Sequence, residues 1–423
     1  MVTTTHASPL RDLLRSQLFR RWAAANLFAR LPLTMNLLAL VLVGEVATGS
    51  LATGATLAGI LTFTSGALAQ PRGRRLDRTD LRAGVRRDLV LSAAMVLAFV
   101  AAVVMQVPVW VLGLLAATQG AVSAAILGGF RALLVPTVPA EQIEPANALD
   151  AVFVEVAFVA GPAVAGGLAL VVGPVGVLVL QAAAFVIAAV LLQGLPTRLP
   201  LTDPTLAGPA PLRTRGARSV YLLVLGIGLG VGAWEATMPA RLESFGFEAA
   251  TAGPLLALTA LGSGVAGMVA ANQRDPLRRG RLMAGVLLVL FAAAVVPTAF
   301  ATSVVLLGLA LFAMGLPIAP LNALGGLTLQ RTVAVSRQAE GFSLFPAMIL
   351  IGAGAGQALA GQLLRYLTPS ELLVVIAAVL AVLGTIVLLA VARRRLLGMS
   401  PGLGYPHDPD VVDPAAYAGL PAS

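Results

Sequence analysis

The sequence contains no cysteine and no lysine, and its two histidines, His6 and His407, lie near the ends of the chain. Without cysteine the chain can form no disulfide and offers no thiolate as a nucleophile or metal ligand. Without lysine it can form no Schiff base and no phosphate-binding loop of the G-x-x-x-x-G-K-[ST] type. These absences exclude several classes of enzyme and one route to nucleotide binding, and we expect no metal and no other cofactor.

Charge is also scarce. Charged residues make up 11% of the 423 residues, apolar residues make up 58%, and the mean hydropathy is +0.92. A soluble domain needs more charged surface than this. Apolar runs of about 20 residues can instead cross a bilayer as helices. The composition therefore predicts a membrane protein that crosses the bilayer several times.

Hydropathy predicts an all-α membrane protein with twelve transmembrane helices in two pseudo-symmetric six-helix bundles. The predicted spans are residues 22–46, 52–71, 88–107, 109–133, 147–171, 174–194, 219–240, 250–271, 282–301, 303–327, 341–366 and 371–392. Arg131 and Arg331 lie 200 positions apart at the ends of spans four and ten, which is a weak sign of repeated halves. The domains are predicted as an N-terminal segment (1–21), a first bundle (22–195), a linker (196–218), a second bundle (219–395) and a disordered tail (396–423).

The distribution of basic residues predicts the orientation. All 28 basic residues are arginine, and the formal net charge is +9. If the N-terminus is cytoplasmic, 25 arginines fall in the terminal segments or in even-numbered loops, and the exceptions are Arg30, Arg241 and Arg365. Basic residues favour the cytoplasmic side. We therefore expect a multi-pass protein of the cell membrane with both termini in the cytoplasm, whose positive charge faces anionic lipid rather than nucleic acid.

Residues 73–82, GRRLDRTDLR, carry six charged side chains, four arginines and two aspartates, and are predicted to form the loop between spans two and three. Gly73, Asp77 and Arg78 resemble the signature G-x-L-a-D-R-x-G-R-[RK] of the major facilitator superfamily, although Asp80 replaces its next glycine. The resemblance implies a transporter that works by alternating access, with Asp77 holding this inner-gate loop against the start of span eleven near Glu340. A carboxylate is favourable at a helix N-terminus. The alternative is that these charges only keep a loop in water.

Arg131, at the predicted inner end of span four, is assigned to the same inner gate. We expect it to reach either a lipid phosphate or Asp77, with a protein partner favoured.

Span five contains GPAVAGG, which is similar to the G-P-x-x-G-G element of proton-coupled exporters in this family, with one extra residue. Proline bends helices and glycine allows their close approach. Gly161, Pro162, Gly166 and Gly167 are therefore predicted either to pack helices or to mark an antiporter. The family's arginine in R-x-x-Q-G on span four is missing, because Ala116 stands in its place.

Three charges are predicted to lie inside the spans, where each costs about 2.5–3.5 kcal/mol at the bilayer centre. Arg30 and Glu155 both lie about 12 Å into their spans. We predict that they form an ion pair, which is either static or part of proton coupling. Glu235 is predicted either to titrate or recognise a cation, or to pair with Arg241. Asp150 is predicted only to cap the start of span five, as in a capping box.

Asn36, Gln119 and Asn322 lie on spans that, by the resemblance, line a central cavity. So few polar groups suit a lipophilic or amphipathic substrate better than a sugar. The chain is therefore predicted to be no enzyme but a secondary transporter, which exports such small molecules in exchange for protons. The alternatives are a uniporter or importer of a small organic solute, and a non-transporting scaffold or receptor. The predicted partners are a small-molecule substrate, protons and the lipid bilayer, with no nucleic acid and no nucleotide.

Overall fold

The computed structural model describes residues 13–197, 210–271, 280–333 and 337–396, and every long element in these ranges is an α-helix. The first half contains α1 (Gln17–Thr48), α2 (Leu51–Asp77), α3 (Leu81–Val104), α4 (Val109–Ser123), α5 (Ile126–Leu134) and α6 (Ile143–Leu191). The second half contains α7 (Arg215–Glu243), α8 (Ala252–Ala271), α9 (Gly280–Phe300), α10 (Val304–Gly315), α11 (Ile318–Thr332), α12 (Gln338–Leu363) and α13 (Pro369–Leu396). Residues 1–12, residues 198–209 of the predicted linker and the predicted tail beyond Leu396 lie outside the described residues.

The described helices account for twelve crossings. Eleven helical segments in these ranges are long and apolar enough to span a membrane, and one of them, α6, has 49 residues. A helix of that length is about 74 Å long, more than twice the thickness of a bilayer core. Gly173 interrupts α6 with φ 74° and ψ 163°, directly before Pro174. This break separates spans five and six where the hydropathy predicted it.

The fourth span is broken in both halves. Helix α4 ends at Ser123 and α5 continues the span, while α10 ends at Gly315 and α11 continues its counterpart beyond Pro317. Arg131 and Arg331 each lie in the last turn of the continuing helix. The shared break supports the predicted pseudo-symmetry of the two bundles.

Two helix boundaries differ from the prediction. Helix α1 begins at Gln17, five residues early, because Ser16 caps it and the indole Nε1 of Trp22 donates to the carbonyl oxygen of Phe130 (2.9 Å). The charged segment 73–82 is mostly helical, since α2 continues to Asp77 and α3 begins at Leu81. Burial of neighbouring apolar side chains outweighs the polar composition that indicated a loop.

The helices pack in the order expected of two bundles. Helix α1 lies against α2 and α6, α3 lies against α6, α7 against α12, and α9 against α13. The halves meet mainly where α2 contacts α12 and where α6 contacts α8. We call the side of the membrane at which α2 ends and α3 begins the arginine-rich side, and the opposite side the arginine-poor side.

Candidate functional site

The contact between α2 and α12 joins the halves along the whole span. At its centre Gly59 lies so close to Gly354 that a Cβ on either glycine would collide with the backbone of the other helix. Toward the arginine-poor side, Gln362 Nε2 donates a hydrogen bond to Thr56 Oγ1 (3.0 Å). Small residues let helix backbones approach this closely within a membrane.

The arginine-rich end of this contact is polar. Glu340, in the first turn of α12, accepts hydrogen bonds from Arg74 (3.2 Å) and Gln70 (3.5 Å) of α2 and from Arg337 (2.9 Å). The end of α2 therefore meets the start of α12, as the sequence predicted. The described contacts, however, use Arg74 and Gln70, and Asp77 is the half-buried last residue of α2.

The other predicted members of the inner gate have different settings. Gly73 lies inside α2, and a Cβ there would meet nothing within 4 Å, so packing does not require glycine. Arg78 follows the last residue of α2 and is exposed. A gating role for Gly73, Asp77 and Arg78 stays a prediction.

The GPAVAGG segment packs against two different helices. Gly161 lies against Thr34 of α1, and Gly166 lies against Gly253 of α8. The carbonyl of Pro162 also approaches Gly253. Gly167 is exposed, and a Cβ there would meet nothing within 4 Å, so its predicted packing role is wrong. The segment joins the halves on the arginine-poor side.

Toward the arginine-rich side α6 and α8 separate. Glu155 precedes Pro162 by seven residues and Gly166 by eleven, so at 100° per residue it projects from the face of α6 that contacts α8. Glu155 is nevertheless exposed. On α8, Gly264 follows Gly253 by eleven residues on the same face, and a Cβ there would meet nothing within 4 Å. We call the space between Glu155 and Gly264 the α6–α8 gap.

A buried carboxylate, Asp150 of α6, contacts polar groups of two other helices. Only 1% of Asp150 is exposed, and its Oδ1 accepts hydrogen bonds from Arg30 Nη2 and Asn26 Nδ2 of α1, both at 2.9 Å. Arg131 of α5 places its Nε 3.6 Å from Oδ2. The cluster pairs the buried charge of Arg30 and ties α1, α5 and α6 together on the arginine-rich side.

These contacts correct three predictions. Arg30 pairs with Asp150, so the predicted Arg30–Glu155 pair is wrong, and no ion pair joins Glu155 to another described residue. Glu155 follows Asp150 by five residues, which turns it about 140° around α6. Asp150 does not cap the helix, because α6 begins seven residues earlier at Ile143. Arg131 has a protein partner, but that partner is Asp150 rather than the predicted Asp77.

A second buried carboxylate was not recognised in the sequence. Asp88 of α3 is fully buried and forms ion pairs with Arg72 (2.9 Å) and Arg87 (3.2 Å). Arg72 also donates to the carbonyl oxygen of Val122, next to the break between α4 and α5 (3.2 Å). The sequence feature that could have revealed this buried acid is Asp80. Its carboxylate caps α3, which places Asp88 two turns inside the helix.

Two of the polar groups predicted for a central cavity lie beside a small cavity inside the first half. Asn36, Gln119 and Gln181 line a cavity of about 10 Å³ together with apolar side chains of α2, α3 and α6. Its walls all belong to the first half, and a role for Asn36 and Gln119 in a central cavity between the halves stays a prediction. The volume is near the minimum for one water molecule. Asn322 is half-buried on α11, and its predicted role is untested.

Arg241 of α7 does not pair with Glu235. Its guanidinium donates to the carbonyl oxygens of Thr298, Ala299 and Ala301, at the end of α9 (2.8–3.3 Å). The ring of Phe245 lies 4.4 Å away. The carbonyl end of a helix attracts a cation, which explains why this arginine can be buried without a carboxylate.

Glu235 lies half-buried on the face of α7 opposite α13. Gly226 and Gly230 lie against Leu383 and Leu380 of α13, and Glu235 is rotated about 160° from them. On the side of Glu235, Gly228 and Gly232 pack against α12, and α7 also contacts α1 and α2 across the boundary between the halves. No ion pair or hydrogen bond joins its carboxylate to another residue in the described ranges.

Several solved structures of transporters have a similar arrangement of helices. No protein-family model and no curated protein matches the sequence. The nucleoside transporter NupG matches with a TM-score of 0.69 at 12% identity, over 87% of this chain and 98% of that chain. A bacterial homolog of the human lysosomal transporter Spinster, in an inward-facing and occupied conformation, matches with a TM-score of 0.66 at 16% identity. The match covers 96% of this chain and 100% of that chain.

The human organic anion transporter MFSD10 matches with a TM-score of 0.60 at 14% identity, over 88% of this chain and 99% of that chain. At such low identities the likeness shows the fold alone. The chain is a multi-pass, all-α membrane protein with the fold of the major facilitator superfamily transporters.

Proposed function

We propose that this protein is a secondary active transporter that exports lipophilic or amphipathic small molecules in exchange for protons. The observation that supports this most directly is the α6–α8 gap. The halves meet along the whole of α2 and α12, whereas the close contacts described between α6 and α8, at Gly166 and Gly253, lie on the arginine-poor side and Glu155 is exposed toward the other side. A boundary whose contacts differ between the two sides of the membrane is what alternating access requires.

The orientation of this state follows from the arginines. We place the arginine-rich side in the cytoplasm and the protein in the cell membrane, because basic residues are retained on the cytoplasmic side. The gap then opens toward the cytoplasm between α6 and α8, while the contacts of Glu340 with Arg74 and Gln70 hold α2 and α12 together on the same side.

Two acids are the candidates for coupling. Glu155 borders the α6–α8 gap, and Glu235 lies on the face of α7 turned from α13. An acid inside a membrane span that has no basic partner among the described residues is a site for a proton or a cationic substrate. The apolar surroundings favour lipophilic or amphipathic compounds.

The runner-up is a uniporter or importer of a small organic solute. It is favoured by Ala116, a buried residue that stands where the family resemblance expects a proton-relay arginine.

Proteoliposomes test transport and coupling together. The purified protein is reconstituted with an imposed pH gradient, and a panel of lipophilic cations and neutral drugs is assayed. We expect gradient-driven flux of at least one compound, and its loss in Glu155→Gln or Glu235→Gln. Glu248→Gln, which changes an exposed acid in the loop before α8, is the matched control. Flux no faster than in empty liposomes would contradict transport. Full gradient-driven flux in both Glu155→Gln and Glu235→Gln would contradict proton coupling through these acids.

A crosslink tests alternation independently of the substrate's charge. The chain has no cysteine, so Thr56→Cys with Gln362→Cys provides one thiol on each half at a contact that is closed in this structure. Crosslinking should stop flux, and its reversal should restore flux, because the arginine-poor side can no longer open. Each single-cysteine variant is the control. Unchanged flux after complete crosslinking would rule out rocking of the halves about this contact.

A further inference from the structure

A cavity on the arginine-rich side of the first half is separate from the boundary between the halves. It lies between the first turns of α3 and the end of α6 and has a volume of about 430 Å³. We call it the α3–α6 cavity; its lining residues are Arg82, Ala83, Arg86, Leu192, Gln193 and Gly194.

Two guanidinium groups of α3 give this cavity positive charge. Arg82 and Arg86 are one turn apart and therefore share a face of the helix. Arg82 Nη1 donates to the carbonyl oxygen of Leu195 (2.7 Å), which fixes the side chain and leaves its other N–H groups for a ligand. Arg86 is exposed and forms no ion pair with another residue in the described part of the chain.

A third arginine borders the same cavity. Arg21 of α1 donates from Nε to the carbonyl oxygen of Leu191 (2.8 Å), and its Nη1 lies beside Gly194. The two acids nearest in sequence have other partners: Asp80 accepts hydrogen bonds from the backbone N–H of Ala83 and the hydroxyl of Thr197, and Asp88 pairs with Arg72 and Arg87. The charges around the cavity therefore favour an anion with several acceptor oxygens.

The membrane side of the cavity continues into apolar surface. On α3, exposed Val90 and Leu97 follow Arg86 on the same face. On α6, exposed Val190 and Val186 precede the cavity residues at the end of the helix. A ligand that fits both surfaces has an anionic head and apolar chains.

We propose that the α3–α6 cavity binds the phosphate of an anionic phospholipid. Arg82, Arg86 and Arg21 surround the phosphate, and the acyl chains lie along the exposed apolar residues of α3 and α6. A free phosphate ion shares the head-group chemistry but would gain nothing from the apolar surface.

Native mass spectrometry of the full chain in detergent tests this assignment. The protein is titrated with phosphatidylglycerol, phosphatidylcholine or inorganic phosphate, and bound molecules are counted. We expect preferential retention of phosphatidylglycerol and about fivefold weaker retention by Arg86→Gln, since a guanidinium beside an anionic lipid contributes about that factor. Arg75→Gln, which removes an exposed arginine of α2 on the same side but outside the cavity, should bind like the unchanged protein.

Thermal unfolding with and without each lipid provides a second readout, and it shows whether Arg86→Gln is folded. Phosphatidylglycerol should raise the unfolding temperature of the unchanged protein more than that of Arg86→Gln. Equal binding of the two lipids, or equal losses in Arg86→Gln and Arg75→Gln, would overturn the proposal. Displacement of phosphatidylglycerol by millimolar inorganic phosphate would assign the cavity to a soluble anion and overturn the lipid assignment.

Discussion

The two halves share their order of helices and their broken fourth span, but they bury charge in different ways. The first half buries two carboxylates, Asp88 and Asp150, and each contacts two arginines on the arginine-rich side. In the described part of the second half no carboxylate is fully buried. Its buried arginine, Arg241, lies on the arginine-poor side and binds carbonyl oxygens.

This difference shows that the repeat extends to the backbone but not to the polar interior. Ion pairs fix the helices of the first half where they meet on the arginine-rich side. Among the described residues of the second half, α7 and α12 are joined on this side by apolar packing and by the hydrogen bond from the Tyr221 hydroxyl to the carbonyl oxygen of Gly341 (3.0 Å). The cost of removing a polar group should therefore depend on the half in which it lies.

The largest effect is expected from Asp150→Asn. Removing one partner of a buried ion pair leaves Arg30 with an uncompensated buried charge, at a cost of about 3–5 kcal/mol. Unfolding by sodium dodecyl sulfate in mixed micelles should show this loss. A loss below about 1 kcal/mol would mean that water or Arg131 already screens the pair, and the contrast between the halves would fail.

The double variant Arg30→Leu with Asp150→Leu makes the first half resemble the second. Replacing a whole buried ion pair by apolar residues is often neutral, so this variant should be more stable than Asp150→Asn. If both variants unfold alike, the cluster does more than neutralise Arg30.

In the second half, Arg241→Gln should cost about 2 kcal/mol. The amide keeps part of the hydrogen bonding to the end of α9 but loses the attraction between a cation and the helix C-terminus. The same unfolding assay measures the loss, and Arg365→Gln, which changes an exposed arginine on the same side, is the control. A cost as large as that of Asp150→Asn would erase the predicted difference between the halves.

Tyr221→Phe should cost about 1 kcal/mol. It removes one hydrogen bond between α7 and α12 and leaves the buried ring in place. The unfolding assay should show this small loss with no change in the expression of the protein. A loss of several kcal/mol would show that the second half also depends on a polar contact on the arginine-rich side.

The twelve spans and their grouping were predictable because length and hydropathy are properties of each segment by itself. Even the break at Gly173 follows from the glycine–proline pair at the end of a predicted span. Helix ends were less predictable. Trp22 and Leu76 are buried by helices distant in sequence, and this burial extends α1 and α2 through polar segments.

The partners of the buried charges could not be read from depth alone. Similar depth in the membrane predicts a pair of Arg30 and Glu155. The rotation of α6 instead decides which acid faces α1. That rotation is set by Gly161 against Thr34 and by Gly166 against α8. Such contacts depend on how neighbouring helices cross, which a single hydropathy profile does not contain.

The smallest expected effect concerns Asp80, an exposed carboxylate of the first half. The backbone N–H of Ala83, and then the hydroxyl of Thr197, hold the pKa of Asp80 below its usual range. A lowered pKa in the folded state stabilises the fold above the unfolded pKa of about 4, and this contribution disappears as the pH falls through the folded pKa. Asp80→Asn keeps a capping side chain without the charge, so at pH 7 it should lose less than about 1 kcal/mol. The difference from the unchanged protein should close below about pH 4 in the unfolding assay. A difference that does not shrink as the pH falls below about 4 would assign the effect to the geometry of the cap, and the contrast between buried and exposed carboxylates would then rest on Asp150 alone.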